Sequence, residues 1–191
     1  MLAPWRSPLA RALHRNRSLP HSRYLQLATV RQGGYPANRT VVFRGFLEGT
    51  NQLKFVTDAR SEKAAQIKYL AWGEACWYFT QTREQFRLMG KLTLVNADFA
   101  DLSLQKVRQI AWQELSDAAR TQFAWDAPGQ PRASDSVFDL SPPDATTPLV
   151  HFCLLLLEPE QVDHLELRGN PQNRWLYKYA GGNWTVGEVN P

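Results

Sequence analysis

The stretch Asn38-Arg39-Thr40-Val41-Val42-Phe43-Arg44-Gly45-Phe46-Leu47 decides how this chain is read. Its residues alternate. Arg39, Val41, Phe43 and Gly45 fall on one face of an extended strand, and Thr40, Val42, Arg44 and Phe46 on the other. β-branched and aromatic side chains at this period suit a pleated, half-buried strand. Working outward, Tyr24 to Val30 reads as the preceding strand across a Gly33-Gly34 turn. Gly49-Thr50-Asn51 turns the chain into a third strand, Leu53 to Thr57.

The same reasoning carries through the rest of the chain. Ser7-Pro8 opens a short N-terminal helix, with Ser7 as its cap. The spacing predicts a helix over 61–70 with Ala64 and Ile67 on one face, then strands over 75–80 and 85–95. A long helix is expected from Asp98 to about Ala119. Strands follow over 149–157, 162–167, 175–179 and 184–189, the last two joined by the hairpin turn Gly181-Gly182-Asn183. Residues 126–148, rich in Pro, Asp, Ser and Thr, read as a long loop. A loop of this length in a compact domain is mobile or functional, often covering a site.

Many short antiparallel strands with few helices predict a mainly β, α+β architecture: a six- to eight-stranded split β-barrel with flanking helices. The 191 residues suit one domain over 1–191, with residues 1–21 as a helical arm. No GxGxxG follows a strand, and there is no phosphate-binding GxxxxGK[ST] loop or GxSxG elbow. With 43% hydrophobic and 21% charged residues, wholesale disorder is excluded. The longest apolar run, Leu149 to Leu157, is about half of what a membrane-spanning helix needs, so no membrane partner is expected.

The net charge of +4 hides an asymmetry: residues 1–47 carry eight Arg and no acid. Such a stretch reads as solvated surface, as a set of phosphate ligands, or as a nucleic-acid or targeting segment. Ser and Thr are sparse before residue 29, and the basic stretch runs straight into strand-like sequence, which argues against a transit peptide. A nucleic-acid partner is disfavoured. Cys76 and Cys153 each lie in an apolar run, as buried free thiols do in a reducing compartment, and a cytoplasmic location is expected. The four His show no HxxxH or HxxH spacing, so no metal is expected.

Polar residues that look out of place gather at strand ends. Arg39 and Arg44 interrupt a Val/Phe strand, and Thr57, Arg60, Ser61 and Lys63 cluster where the third strand hands over to a helix. Free backbone N–H groups, hydroxyls and a cation together are the chemistry of a phosphate site. Gln85 and Arg87 start a later strand. Read blandly, the arginines lie on solvent faces and Ser61 is only a helix cap.

Four segments, in order, resemble the FMN-binding split barrel of the pyridoxamine 5′-phosphate oxidases. They are Asn38-Arg39-Thr40-Val41-Val42, Phe55-Val56-Thr57-Asp58 with Ser61-Glu62-Lys63-Ala64, Gln85-Phe86-Arg87-Leu88-Met89-Gly90, and the ending from Arg174-Trp175-Leu176-Tyr177 through Val189-Asn190-Pro191. The resemblance, closest to the oxidase-like branch of cyanobacteria and plants, implies FMN as cofactor at the interface of a homodimer. It would place Arg39, Thr40 and the backbone of Val41 and Val42 on the FMN phosphate and ring edge. Val56, Thr57, Ser61 and Lys63 would lie along the phosphate and ribityl chain. Gln85 of the other subunit and Arg174 would reach the flavin, and Gln130 would supply a further contact.

The chain departs from that pattern on the substrate side. Glu62 stands where the family has an Arg beside the Lys, with Arg60 as a substitute. Asn170 and Gln172 stand at the family's substrate-side Arg and His, and Glu188 replaces a terminal Arg. The resemblance therefore implies an FMN-binding oxidoreductase acting on a small molecule, with a retained cofactor half and a rebuilt substrate half. Arg44 and Arg120 remain as ligands for an anionic substrate, and no separate catalytic side chain is assigned. The alternatives are an authentic pyridoxamine/pyridoxine 5′-phosphate oxidase or a non-enzymatic flavin-binding module.

Overall fold

The computed structural model describes residues 2–191. Eight strands form one antiparallel sheet: β1 (Tyr24–Val30), β2 (Pro36–Val42), β3 (Leu53–Asp58), β4 (Trp72–Phe79), β5 (Glu84–Val95), β6 (Phe152–Glu166), β7 (Asn173–Ala180) and β8 (Asn183–Val189). Their order is β2-β1-β4-β5-β6-β7-β8, and β3 pairs with the first half of β6. Four helices accompany them: α1 (Arg6–Arg15), α2 (Glu62–Tyr69), α3 (Leu102–Gln113) and α4 (Asp117–Ala124). The expected mainly β fold with flanking helices is what the chain adopts.

The sheet curls shut through the residues after β2. Arg44 N donates to Lys54 O (2.9 Å) and Lys54 N to Gly45 O (2.8 Å), which sets this segment against β3. Gly45 makes the bend with φ +99°, a conformation that costs a residue with a Cβ. The barrel strands are thus β1, β2, β3, β6, β5 and β4, and β7 and β8 extend the sheet beyond it.

Period two decides what fills the barrel. Leu25, Leu27, Val41, Phe43, Phe55, Trp77, Phe86, Leu88 and Leu155 point inward and are buried. Helix α1 closes one end with Trp5, Leu9 and Ala12, so the arm belongs to the core. Asn16 ties its C-terminus to the β4–β5 turn by accepting from Gln81 N at 2.9 Å. A second core lies outside the barrel, where Trp112, Ala111 and Leu115 pack on Phe152, Leu154 and Leu156. Arg108 anchors α3 there, donating to Phe152 O (2.8 Å) and Leu149 O (2.7 Å).

Several boundaries differ from the sequence expectation, each for a local reason. The first helix is capped at Trp5, with Ser7 already inside it. The expected 98–119 helix is two: Asp101 caps α3, and Ser116 caps α4 by accepting from Ala119 N. The strands expected at 149–157 and 162–167 are one 15-residue strand, β6. The polar Glu158-Pro159-Glu160, between the two expected strands, lies at a register shift opposite Met89 and Gly90. A bulge tolerates the proline that a regular ladder would not. Gly90 makes the bulge possible: a Cβ there would stand 1.9 Å from Glu158 O.

Candidate functional site

The junction of β3 and α2 builds one corner of a cavity of about 560 Å³. Strand β3 delivers Thr57, the Asp58-Ala59-Arg60 turn reverses the chain, and Ser61 caps α2. Ser61 Oγ donates to Asp58 O (2.7 Å), accepts from Ala64 N (3.3 Å) and lies 3.5 Å from Thr57 Oγ1. The first turn of α2 thereby presents backbone N–H groups beside two hydroxyls. Thr57, Ser61 and Lys63 all line the cavity.

Lys63 is the group that gives the corner its character. Burial, reinforced by the nearby Arg39 guanidinium and only partly opposed by Asp58, lowers its pKa from 10.5 to about 8. It makes no ion pair within 4.0 Å among the described residues. Arg60 is different: its guanidinium grips Asp58 through Nε (3.0 Å to Oδ1) and Nη2 (2.6 Å to Oδ2) and reaches Phe123 O. That cation is already neutralised, so Arg60 does not replace the missing Arg at Glu62 in kind. Glu62 itself points outward, pairing with Arg31 at 3.0 Å.

The cavity's other wall comes from α4 and the long loop: Phe123, Trp125, Asp126 to Ala133, and Phe138. Trp125 and Phe138 meet edge to face at 5.4 Å. Sequence reasoning named Gln130, which lines this wall, but missed Phe123, Trp125, Arg132 and Phe138. The loop's length was the available signal.

The remaining sequence candidates lie elsewhere. Arg39 is turned into the protein and donates to Leu27 O (3.0 Å), Ala37 O (3.0 Å), Thr29 Oγ1 (2.6 Å) and Gln66 Oε1 (2.8 Å). It braces β1, β2 and α2, and reaches the corner through its field on Lys63. Val41 is in the barrel core, while Val56 packs outward against the second core. Thr40, Val42, Gln85 and Arg174 face out from the sheet, away from the cavity lining. Arg174 holds buried Asp163 with two hydrogen bonds (3.0 and 2.8 Å), and Arg87 joins the same carboxylate at 2.5 Å. These pairs keep the Asp163 carboxyl below its ordinary pKa against the opposing effect of burial. Arg44 is half-buried, with Nε unpartnered. Arg120 is 6% exposed; its guanidinium donates to Leu115 O and pairs with Asp117, and its Nε is buried without a partner.

A closed antiparallel barrel with a cationic strand–helix corner defines the split-barrel class of FMN-binding folds. Comparison with known proteins agrees. The family model described as "Pyridoxamine 5′-phosphate oxidase, FMN-binding domain" matches residues 2–96. The pyridoxine/pyridoxamine 5′-phosphate oxidase 2 of Arabidopsis thaliana is 40% identical over 195 residues, covering 100% of this chain and 98% of the relative. A crystal structure of a pyridoxamine 5′-phosphate oxidase-related, FMN-binding protein from Nostoc punctiforme superposes with a TM-score of 0.97 at 60% identity, covering 100% of both chains. PhzG from Burkholderia lata, solved with tetrahydrophenazine-1-carboxylic acid, shares the fold at 16% identity (TM-score 0.79, 97% of this chain and 91% of that one). The chain belongs to the pyridoxamine 5′-phosphate oxidase family.

Proposed function

We propose that this protein binds FMN and works as a flavin-dependent oxidoreductase on a small, planar substrate. The observation that carries this reading is Lys63: a desolvated ammonium without a carboxylate partner, set beside two hydroxyls and a helix N-terminus in one cavity. Keeping such a cation charged is costly, and a phosphate ester offsets that cost. The donor set fits the FMN phosphate, and the cavity volume lies within the usual range for cofactor sites. Thr57 and Ser61 would hold phosphate oxygens, Lys63 would neutralise them, and Arg39 would hold α2 in place while adding positive potential. Trp125 and Phe138 would wall the cavity against water. When bound, FMN supplies hydride chemistry, and the protein contributes placement and electrostatics.

The reading includes a homodimer. The outer face of β1, β2, β4 and β5 carries Tyr24 (50% exposed), Tyr78 (43%) and half-buried Val42 and Cys76. Gln85, Arg87 and Arg174 share that face, so a partner seated there would bring them to a shared flavin. The visible spectrum of the purified protein and titration with FMN and riboflavin test the reading. FMN is expected to bind at least tenfold tighter than riboflavin; equal affinity for both would overturn it. Sedimentation at micromolar concentration should give twice the chain mass.

A second reading, an authentic pyridoxine/pyridoxamine 5′-phosphate oxidase, is favoured by the full-length similarity to the Arabidopsis protein. Asn170 and Gln172 weigh against it, because they offer neither charge nor a titratable group to a substrate phosphate. Aerobic incubation with pyridoxamine 5′-phosphate decides: formation of aldehyde and peroxide at enzymatic rates supports it, and their absence removes it.

A further inference from the structure

We propose that Glu84, His164 and Glu166 form a site for a divalent first-row transition-metal ion inside the end of the barrel closed by α1. Glu84 opens β5 and Glu166 closes β6, directly opposite each other in the antiparallel register; His164, two residues before Glu166, lies on the same face. His164 Nε2 is 3.0 Å from Glu84 Oε2 and 3.9 Å from Glu166 Oε1. The three donor atoms all lie within 4.8 Å of one another. Ligands bonded at about 2.0–2.2 Å around a tetrahedral ion stand about 3.4 Å apart, so small side-chain adjustments complete three corners.

The donor set is held in place. His164 is 2% exposed, and its ring is stacked on Phe86 at 4.0 Å with Trp175 at 5.2 Å on the other side. Asn173 Nδ2 donates to Glu166 Oε2 at 3.4 Å, orienting the outer carboxylate. The Glu166 side chain, 35% exposed, gives access from solvent and leaves a fourth position for water.

Charge points the same way. Carboxylates opposed across a sheet repel. No Lys or Arg comes within 4.0 Å of either one among the described residues, although Arg15 is near enough to act on Glu84. His164 Nε2 with the carboxylate oxygens of Glu84 and Glu166 makes a ligand set of N, O and O, which suits zinc-like ions. None of the three residues lines the cavity at α2, so the site stands apart from the flavin reading.

The test uses the full chain without a histidine tag, treated with EDTA, desalted and titrated with Zn²⁺ by calorimetry. Metal retained after gel filtration is counted by elemental analysis. One ion per chain is expected, together with a higher thermal midpoint. Because a buried His164→Gln substitution risks the fold, Glu166→Gln at the mouth is the deciding variant: it should weaken Zn²⁺ at least tenfold and leave FMN affinity unchanged. No retained Zn²⁺ would overturn the proposal. So would Glu166→Gln and Glu84→Gln proteins that bind as the parent does, which would place the ion on exposed His14 or His21.

Discussion

Replacing Lys63 by Met separates what the residue does for the fold from what it does for the ligand. The Met side chain fills similar space without charge. At neutral pH Lys63 is protonated in both folded and unfolded chains, so the folded state carries the cost of desolvating it. Displacement of the pKa from 10.5 to about 8 corresponds to about 3 kcal/mol. Flavin-free Lys63→Met protein should therefore be more stable than the parent by up to about 3 kcal/mol. With the m-value usual for a chain of this size, its urea midpoint at pH 7 should rise by about 1 M. FMN should respond the opposite way: losing a charge-assisted phosphate contact costs about 1.5–3 kcal/mol, or about ten- to hundredfold in affinity. Riboflavin, which lacks the phosphate, is the control and should bind both proteins alike. Urea denaturation at fixed protein concentration and flavin fluorescence titration read the two effects. A variant that is no more stable and binds FMN as the parent does would refute the reasoning.

Other outcomes follow from the same structure. Because burial lowers the Lys63 pKa, the unfolded chain holds a proton that the folded one has lost between pH 8 and 10.5. Flavin-free stability should therefore rise with pH across that window, while FMN affinity falls as pH climbs through 8; Lys63→Met should flatten both curves. Gly90→Ala places a Cβ 1.9 Å from Glu158 O, against backbone that cannot move aside, and should cost about 3 kcal/mol or more in thermal denaturation. Arg108→Met removes two hydrogen bonds to buried carbonyls and should cost about 2–4 kcal/mol, with faster hydrogen exchange in α3 and the start of β6. The pKa of Asp163 is depressed by Arg174 and Arg87, so its contribution is complete above the ordinary carboxyl range and lost as pH falls through the folded value. Asp163→Asn should remove that part of the acid transition seen by circular dichroism.

Sequence patterns located those features that depend on near neighbours. Alternation in Asn38 to Leu47 puts Val41 and Phe43 inside, as the structure does, because neighbouring side chains in a strand must take opposite faces. Ser61 was legible as a cap and Lys63 as a cation in the first turn after β3, since both follow from position along a helix. The sequence divides β6 into two strands at the polar, proline-containing Glu158-Pro159-Glu160; only pairing with Gly90 shows that the strand continues through a bulge. Arg39 was recognisable as out of place, but its burial against Thr29 and Gln66 was not, because those partners come from β1 and α2.

What the sequence determined by itself, then, is the periodicity, the turns and the chemistry available at each strand end. The tertiary structure alone decided how much water surrounds Lys63, and that solvation sets both its pKa and its fitness for a phosphate. It alone also brought Glu84 to within 3.0 Å of His164, across 80 positions of chain, through strand register. Desolvation and long-range pairing are properties of the closed barrel, and no local stretch of residues contains them.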